Sequence, residues 1–483
     1  MGKPNILVIM ADQHSPHVLG CAGDKIVSTP NIDRLAGEGV RFSHAYCGGP
    51  ICVPSRMSFL TSRHCSDIKA VTNRGVLASD TPTFAHSLGA SGYNTVLCGR
   101  MHLSRDNPQH GFEEKLVGDV SLQWSSKAEG CVFGNIPDRL DSQSRIAVEI
   151  SGRGKTAYQA FDRAVADAAV EFLGSRYKNE KPFCLVVGFI LPHNPLICPK
   201  ELFDKYYKEM NVPRMSEEEK KHLHPAMRKW REAHGVDDIP DSQAKSALAA
   251  YYGLVEMLDG YVGEIMESLE KNGLRGKTAV FYTSDHGEMA GEHEMWWKSN
   301  FYEGSAGVPL VASFPGIFPE GMLYDLPVSL LDIAPTLIEI ADAVPMPRIS
   351  GTSLMPCIKR EPGNKNDTPV FSEFFDESIK TPVRMVVRWP WKLIYYHDFA
   401  YPQLFNLKKD PGEIFDCGNS PAFSDIKNEL VSLVKKDWDP EEINGFMEEE
   451  EENHKIISEW MRAVKPPDVE CWKPPPHSNV FPE

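Results

Sequence analysis

The chain has 483 residues, 42% hydrophobic and 24% charged, with a formal net charge of −16. That length accommodates one large α/β domain with a smaller appendage, or several smaller domains. The acidic balance argues against a nucleic-acid partner, and no apolar run approaches the ~18 residues of a membrane-spanning helix, so no membrane partner is expected.

Asn5 to Met10 is a continuous apolar run ending in Ala11-Asp12-Gln13. A buried parallel strand has this pattern, with polar groups delivered at its C-terminal end, where open α/β sheets bind ligands. The run reads as a strand and not as a signal-peptide core. Thr29-Pro30-Asn31 opens a short helix through Leu35, and Val40 to Tyr46 is a strand. After the turn Gly48-Gly49-Pro50 comes a helix-like run to Thr61, with Pro54 in its first turn and Cys52 just before its N-terminus, where N–H groups and the dipole favour negative charge. Further helices are predicted over Thr83 to Ala90, Thr156 to Leu173, Ala244 to Leu274 and Leu330 to Ala341. Further strands are predicted over Tyr93 to Cys98, Phe183 to Ile190, Thr278 to Thr283 and Val308 to Phe314. Residues 200–242, rich in Lys, Glu and Pro, read as a solvated, partly helical insertion.

Strands alternating with helices predict a mostly parallel sheet covered on both faces. Past residue 365 the texture changes to short strand-like pieces, from Pro369 to Phe375 and on to Gln403 to Asn406, followed by a helix over Asp425 to Val434. The expectation is a catalytic domain over 1–365 and a smaller α+β subdomain with a short antiparallel sheet and tail over 366–483. The carboxylate run Glu448 to Glu452 reads as a solvated helix face, and Pro474-Pro475-Pro476 as part of an extended tail. The eleven cysteines are scattered with no Cys-x-x-Cys pair, which points to a reducing compartment and a cytoplasmic location.

Two predicted strand ends, Asp12-Gln13 and Asp285-His286, emerge at the same edge of a parallel sheet. Their oxygen donors suit Ca²⁺ or Mg²⁺, while the histidine leaves Mn²⁺ and Zn²⁺ open. With the Cys-Val-Pro-Ser-Arg helix start, which adds the Arg56 cation one turn along, they suggest a metal-assisted anion site.

Cys52-Val53-Pro54-Ser55-Arg56 followed by Leu60-Thr61 resembles the signature of the formylglycine-dependent sulfatases, which have an alkaline-phosphatase-like fold. The resemblance covers most of the chain. It includes Pro4 to Leu7 with Asp12, Thr29 to Ala36, Gly99 to Leu103, Pro192 to Pro195, Ser284 to Gly287, Trp297-Lys298, Trp391 to Ile394 and Asp410 to Glu413. Gln13, Asn73, Met101 to Leu103, His110 to Glu113 and Trp297 to Gly304 look most like the choline-sulfatase and phosphonate-monoester-hydrolase branch.

The resemblance implies that a maturase, formylglycine-generating or radical, oxidises Cys52 to formylglycine, whose hydrate attacks sulfur. It implies a divalent cation, usually Ca²⁺, held by Asp12, Gln13, Asp285, His286 and the modified Cys52. Arg56 helps to lower the pKa of the attacking hydroxyl and to orient it. Arg100, His102 and Lys298 neutralise sulfate oxygens, His193 protonates the leaving alcohol, and Asn73 hydrogen-bonds the substrate. Gln13 stands where many members have a second Asp, Arg100 replaces a Lys, Ser62 replaces the glycine after Leu-Thr, and Gly307 stands where relatives often have Arg. The expected activity is hydrolysis of a sulfate monoester of a small molecule or carbohydrate. The alternatives are a phosphonate monoester or phosphodiester hydrolase with the same site, and a non-catalytic binder of sulfated ligands with unmodified Cys52. A choline substrate requires an aromatic cage, for which Trp124, Trp472 and Phe481 are candidates.

Overall fold

In the computed structural model, which describes residues 2–103, 109–119, 136, 139–176, 181–360, 368–465 and 472–482, the first strand, β1 (Asn5–Asp12), lies inside the main sheet. Its side chains alternate between two cores, Leu7, Ile9 and Ala11 on one face and Ile6, Val8 and Met10 on the other. That alternation is why the run is apolar throughout instead of every second residue.

The other body strands are β2 (Val40–Tyr46), β3 (Asn94–Gly99), β4 (Glu114–Lys115), β5 (Gly152–Arg153), β6 (Phe183–Pro192), β7 (Ile197–Cys198), β8 (Thr278–Ser284), β9 (Gly307–Ser313) and β10 (Met322–Ser329). Seven of them join β1 in one eight-stranded sheet, in the order β10-β2-β9-β8-β1-β6-β3-β4, and β5 and β7 form a separate ribbon. Within the large sheet β1 runs parallel to both β6 and β8, and β3 to both β4 and β6. β9 is antiparallel to β2 and β8. Helices Ala157–Arg176 and Asp241–Lys271 cover one face, and Cys52–Thr61, Phe84–Ala90 and Ile333–Ala341 cover the other. The mostly parallel, two-faced sheet is therefore as expected.

The C-terminal region carries a four-stranded antiparallel sheet of β11 (Val370–Asp376), β12 (Thr381–Arg388), β13 (Trp391–Tyr396) and β14 (Gln403–Asn406). Helices Ser424–Val434 and Pro440–Val464 pack on it through Leu430, Val434, Ile443 and Met447. The sheet joins the body beside the Gly48-Gly49 turn, where Glu373 N–H donates to Gly48 O at 2.9 Å. Buried Lys392 reaches Glu303 at 2.7 Å and Glu413 at 2.8 Å. The boundary placed at 365 lies outside the described residues.

Three expectations need correction. Residues 200–242 form three short helices, Lys200–Tyr207, Glu217–His222 and Pro225–His234, and Phe203, Tyr206, Met227 and Trp230 are buried in the main core. The Lys and Glu residues form only the outer face of these amphipathic helices. Cys52 is the first residue of its helix, not the residue before it, because Ile51 is the extended cap. β10 was not anticipated, since Asp325 and Pro327 interrupt its apolar pattern; it borders the sheet, where proline is tolerated. The tail lies on the body, with Val480 bridged to Lys155 and Trp472 edge-on to Phe161.

The close approach of β3 and β6 leads the chain into Arg100. Gly99, at φ +90°, pairs with Gly188, and Arg100 N–H donates to Gly188 O at 2.8 Å. A Cβ on Gly188 collides with the Arg100 carbonyl. Gly188→Ala is therefore expected to cost about 1–3 kcal/mol of stability, read as a lower thermal unfolding midpoint.

Candidate active site

Four parallel strands end at one edge of the sheet and deliver polar residues there. β1 brings Asp12 and Gln13, β8 brings Asp285 and His286, β3 leads to Arg100 and His102, and β6 leads to His193. The Cys52–Thr61 helix presents Cys52 at its first position, and Asn73 Oδ1 accepts the Val53 N–H at 3.0 Å.

The ligand atoms of Asp12, Cys52, Asp285 and His286 all lie within 4.8 Å of one another, and all four residues are buried. Cys52 Sγ is 3.3 Å from His286 Nε2 and 3.8 Å from Asp12 Oδ1. His286 Nδ1 meets Gly287 O at 3.0 Å, which directs Nε2 into the cluster and fixes the tautomer a metal ligand needs. Two carboxylates and an imidazole are a donor set that fits a divalent cation.

Arg56 has no solvent exposure. It donates from Nε to Asp285 at 2.8 Å, from Nη2 to Asp12 at 3.0 Å and from Nη1 to Arg100 O at 3.0 Å. Its guanidinium thus clamps the two carboxylates and also feels the Cys52 sulfur directly. Arg100 Nε lies 2.7 Å from Asp12, and its Nη2 lies 3.2 Å from His102 Nδ1. Burial and the Cys52 sulfur push the Asp12 pKa up, but Arg100 and Arg56 outweigh them and hold it well below the carboxylate range.

Cys52 carries the opposite balance from an ordinary packing cysteine. Burial pushes its thiol up, yet Lys298, His286 and hydrogen bonds with His102 and His193 bring it well below the usual value. Lys298 Nζ is 3.2 Å from Cys52 Sγ and donates to Gln13 Oε1 at 2.8 Å. By contrast, burial raises the Cys184 thiol with no opposing charge, which leaves it unreactive.

Asp12, Gln13, Cys52, Arg56, Arg100, His102, His193, Asp285, His286 and Lys298 are thus brought together. Asn73 is exposed, and its side-chain oxygen is engaged by the Val53 N–H, so it braces the Cys52 helix. His14 faces Tyr282 and Val18 O, and His64 lies edge-on to Phe371. Trp296 and Trp297 are buried. Trp472 and Phe481 pack on the body core, and Trp124 lies outside the described residues.

Sequence reasoning missed Glu288 and Asp162. Asp162 is fully buried on the Ala157–Arg176 helix and accepts Ile190 N–H at 2.9 Å and Leu191 N–H at 2.8 Å, just ahead of His193. An aspartate on an otherwise apolar face beside Phe161, Val165 and Ala166 was the available signal.

Fold and site together set a buried cluster of donors fit for a divalent cation at one edge of a mostly parallel α/β sheet. A family model described as sulfatase matches residues 4–343, and one described as N-sulphoglucosamine sulphohydrolase, C-terminal, matches 291–439. The chain is 30% identical to a choline-sulfatase of Rhizobium meliloti, covering 95% of this chain and 92% of that protein. It is 29% identical to an arylsulfatase of Clostridium perfringens, covering 91% and 95%. Among solved structures, a phosphonate monoester hydrolase of Agrobacterium radiobacter superposes with TM-score 0.75 at 22% identity, covering 89% of this chain and 95% of that one. The chain belongs to the sulfatase family, and it is a sulfuric ester hydrolase.

Burial raises the Asp162 pKa to about 7, against lowering by the Ile190 and Leu191 amides. A carboxyl with a raised folded pKa contributes stability in full below its ordinary value near 3.8 and loses it as pH rises through about 7. Asp162→Asn keeps an acceptor for both amides and removes the charge. Unfolding midpoints measured across this window should fall with pH less steeply for the variant than for the parent, and the variant should be at least as stable at pH 8 (about one unit past the raised value).

Proposed function

We propose that the chain hydrolyses a sulfate monoester of a small-molecule alcohol or a sugar, with Cys52 matured to formylglycine by a formylglycine-generating or radical maturase. The observation that carries this reading is the convergence of Lys298, His286, His102 and His193 on Cys52, with Asp12 and Asp285 behind it. Such a surround stabilises an anionic nucleophile and an anionic substrate at one point.

Asp12, Gln13, Asp285, His286 and the residue at 52 would hold a divalent cation, which supplies Lewis acidity to the nucleophile. With sulfur at position 52 the donor set favours a borderline ion such as Zn²⁺. With oxygen there it becomes a mainly hard set suited to Ca²⁺, Mg²⁺ or Mn²⁺, so maturation and metal choice are linked and Ca²⁺ is the assignment. One hydroxyl of the hydrated aldehyde would give up its proton to solvent and form the new bond to sulfur while the bond from sulfur to the alcohol oxygen breaks. His193 delivers the proton to that oxygen, and Arg100, His102 and Lys298 face the sulfate oxygens. The other hydroxyl then loses its proton as the carbon–oxygen double bond re-forms and sulfate leaves, a route a serine ester lacks.

A choline-sulfatase relative at 30% identity supports a small sulfate ester. A structural neighbour was solved with its substrate D-glucosamine-2-N,6-O-disulfate, which keeps sulfated sugars in the panel. Peptide mass spectrometry should find Cys52 as the aldehyde in protein made with its maturase. That protein should have a higher kcat/KM for choline sulfate, aryl sulfate or a sulfated monosaccharide than for phosphonate monoester or phosphodiester. Cys52 found only as thiol, or a clear phosphorus preference, overturns the proposal.

If His193 is the acid, His193→Ala should slow alkyl sulfates by about 10²–10⁴-fold. It should slow a nitrophenyl sulfate, whose leaving group needs no proton, far less. Equal losses on both substrates would remove His193 from that role.

A further inference from the structure

Glu288 lies two residues beyond the Asp285-His286 pair, is 1% exposed, and has both carboxylate oxygens engaged. Oε2 accepts from Gln13 Nε2 at 2.5 Å, and Oε1 accepts the Ala290 N–H at 2.8 Å and the Trp297 N–H at 2.5 Å. One buried side chain therefore touches the residue after Asp12 and the residue before Lys298. From these contacts we infer that Glu288 is a positioning residue for sulfate-ester hydrolysis, setting the amide orientation of Gln13 and the place of the Lys298 ammonium. The inference rests on the reading of Gln13 and Lys298 as site residues.

The amide argument is one of donors and acceptors. A carboxylate of this kind only accepts, so the group of Gln13 facing it must be the NH₂. Asn194 Oδ1, at 3.3 Å from Gln13 Nε2, offers a second acceptor on the same side. The Gln13 oxygen is thereby turned to Lys298 Nζ, at 2.8 Å, and the ammonium in turn lies 3.2 Å from Cys52 Sγ. Oxygen and nitrogen of an amide differ little in shape, so it is these flanking groups that decide the orientation. Without Glu288, the NH₂ could turn toward Lys298 and the cation ligands.

The loop argument concerns backbone conformation. Between Glu288 and Ser299 the residues Ala290, His293, Glu294, Trp297 and Ser299 all have positive φ, between 45° and 63°. Non-glycine residues stay in that region only where their surroundings enforce it. Glu288 Oε1 ties the start of the loop to its end, alongside Met289 N–H to Trp297 O and Gly291 N–H to Met295 O, each at 2.9 Å. Lys298 lies between two of the left-handed residues, so the direction of its side chain follows from how that loop is closed.

The test is a polarity-reversing cycle on matured enzyme, read by kcat and KM for an aryl sulfate and by calorimetric titration of the chelator-stripped protein with Ca²⁺ alone. In Glu288→Gln, the oxygen of the new amide retains the Ala290 and Trp297 N–H groups and its NH₂ opposes that of Gln13. In Gln13→Glu, two carboxylates oppose each other. Each single variant is expected to lose about 10–100-fold in kcat/KM and in Ca²⁺ affinity. The double variant Gln13→Glu/Glu288→Gln restores a donor facing an acceptor and should regain at least about tenfold over either single variant.

If Glu288→Gln does not fold, the recovery from Gln13→Glu to the double variant carries the same information. Glu288→Gln with a lowered unfolding midpoint but unchanged kinetics and Ca²⁺ affinity overturns the inference, as does a double variant no better than the worse single. Lys298→Ala separates the two levels. If it retains wild-type kcat/KM, the reading of the site fails. If it loses activity while Glu288→Gln does not, only the role of Glu288 fails.

Discussion

The site depends on the buried Arg56 guanidinium, which bridges both carboxylates while Arg100 also meets Asp12. Asp12 and Asp285 come from different strands and both have no solvent exposure, so each needs a cation before any metal is considered. Arg56 meets both at hydrogen-bond distance, and it does so from the helix whose first residue is Cys52. Removing one partner from such a buried pair typically costs about 3–5 kcal/mol, because the other charge is stranded. The Cys-x-Pro-Ser-Arg spacing therefore has a physical meaning beyond its use as a signature. The arginine, one helical turn on, locks the nucleophile's helix to the two carboxylates that flank the nucleophile.

The same geometry explains why the sequence was informative about this edge of the sheet. β1, β6 and β8 are buried along almost their whole length because both faces are covered, and the polar residues at the end of each apolar run mark where the strand leaves the sheet. Parallel pairing puts those markers at one edge, so residues as distant as Asp12 and Asp285 were identifiable as neighbours. Cys52 was identifiable through its motif. Its burial alone would have suggested packing, as with Cys184 and Cys198.

What was not legible depends on side chains whose partners are distant in sequence. Glu288 and Asp162 are ordinary acidic residues in the sequence, and only the fold shows that each carboxylate binds backbone N–H groups of a segment carrying a site residue. Asn73 shows the reverse case. Its side-chain oxygen accepts the Val53 N–H and braces the Cys52 helix, a contact that spacing alone does not reveal. Residues 200–242 were misread because charge density describes the outer face of a short helix and conceals buried anchors such as Trp230.

Charge placement bears on substrate size. The whole chain sums to −16, while Arg56, Arg100 and Lys298 are buried around Cys52 with Asp12 and Asp285. Exposed charges more than about 8–10 Å away are largely screened at physiological salt, whereas buried charges are not. A small monoanion that enters the site therefore meets the local cations with little penalty from the distant acidic surface. A long polyanion would have to lay its remaining charges along that surface, and each segment outside the site would meet unfavourable potential. On the proposed reading, cations gathered around Cys52 in a net-acidic chain accord with a single sulfate on a small or terminal group.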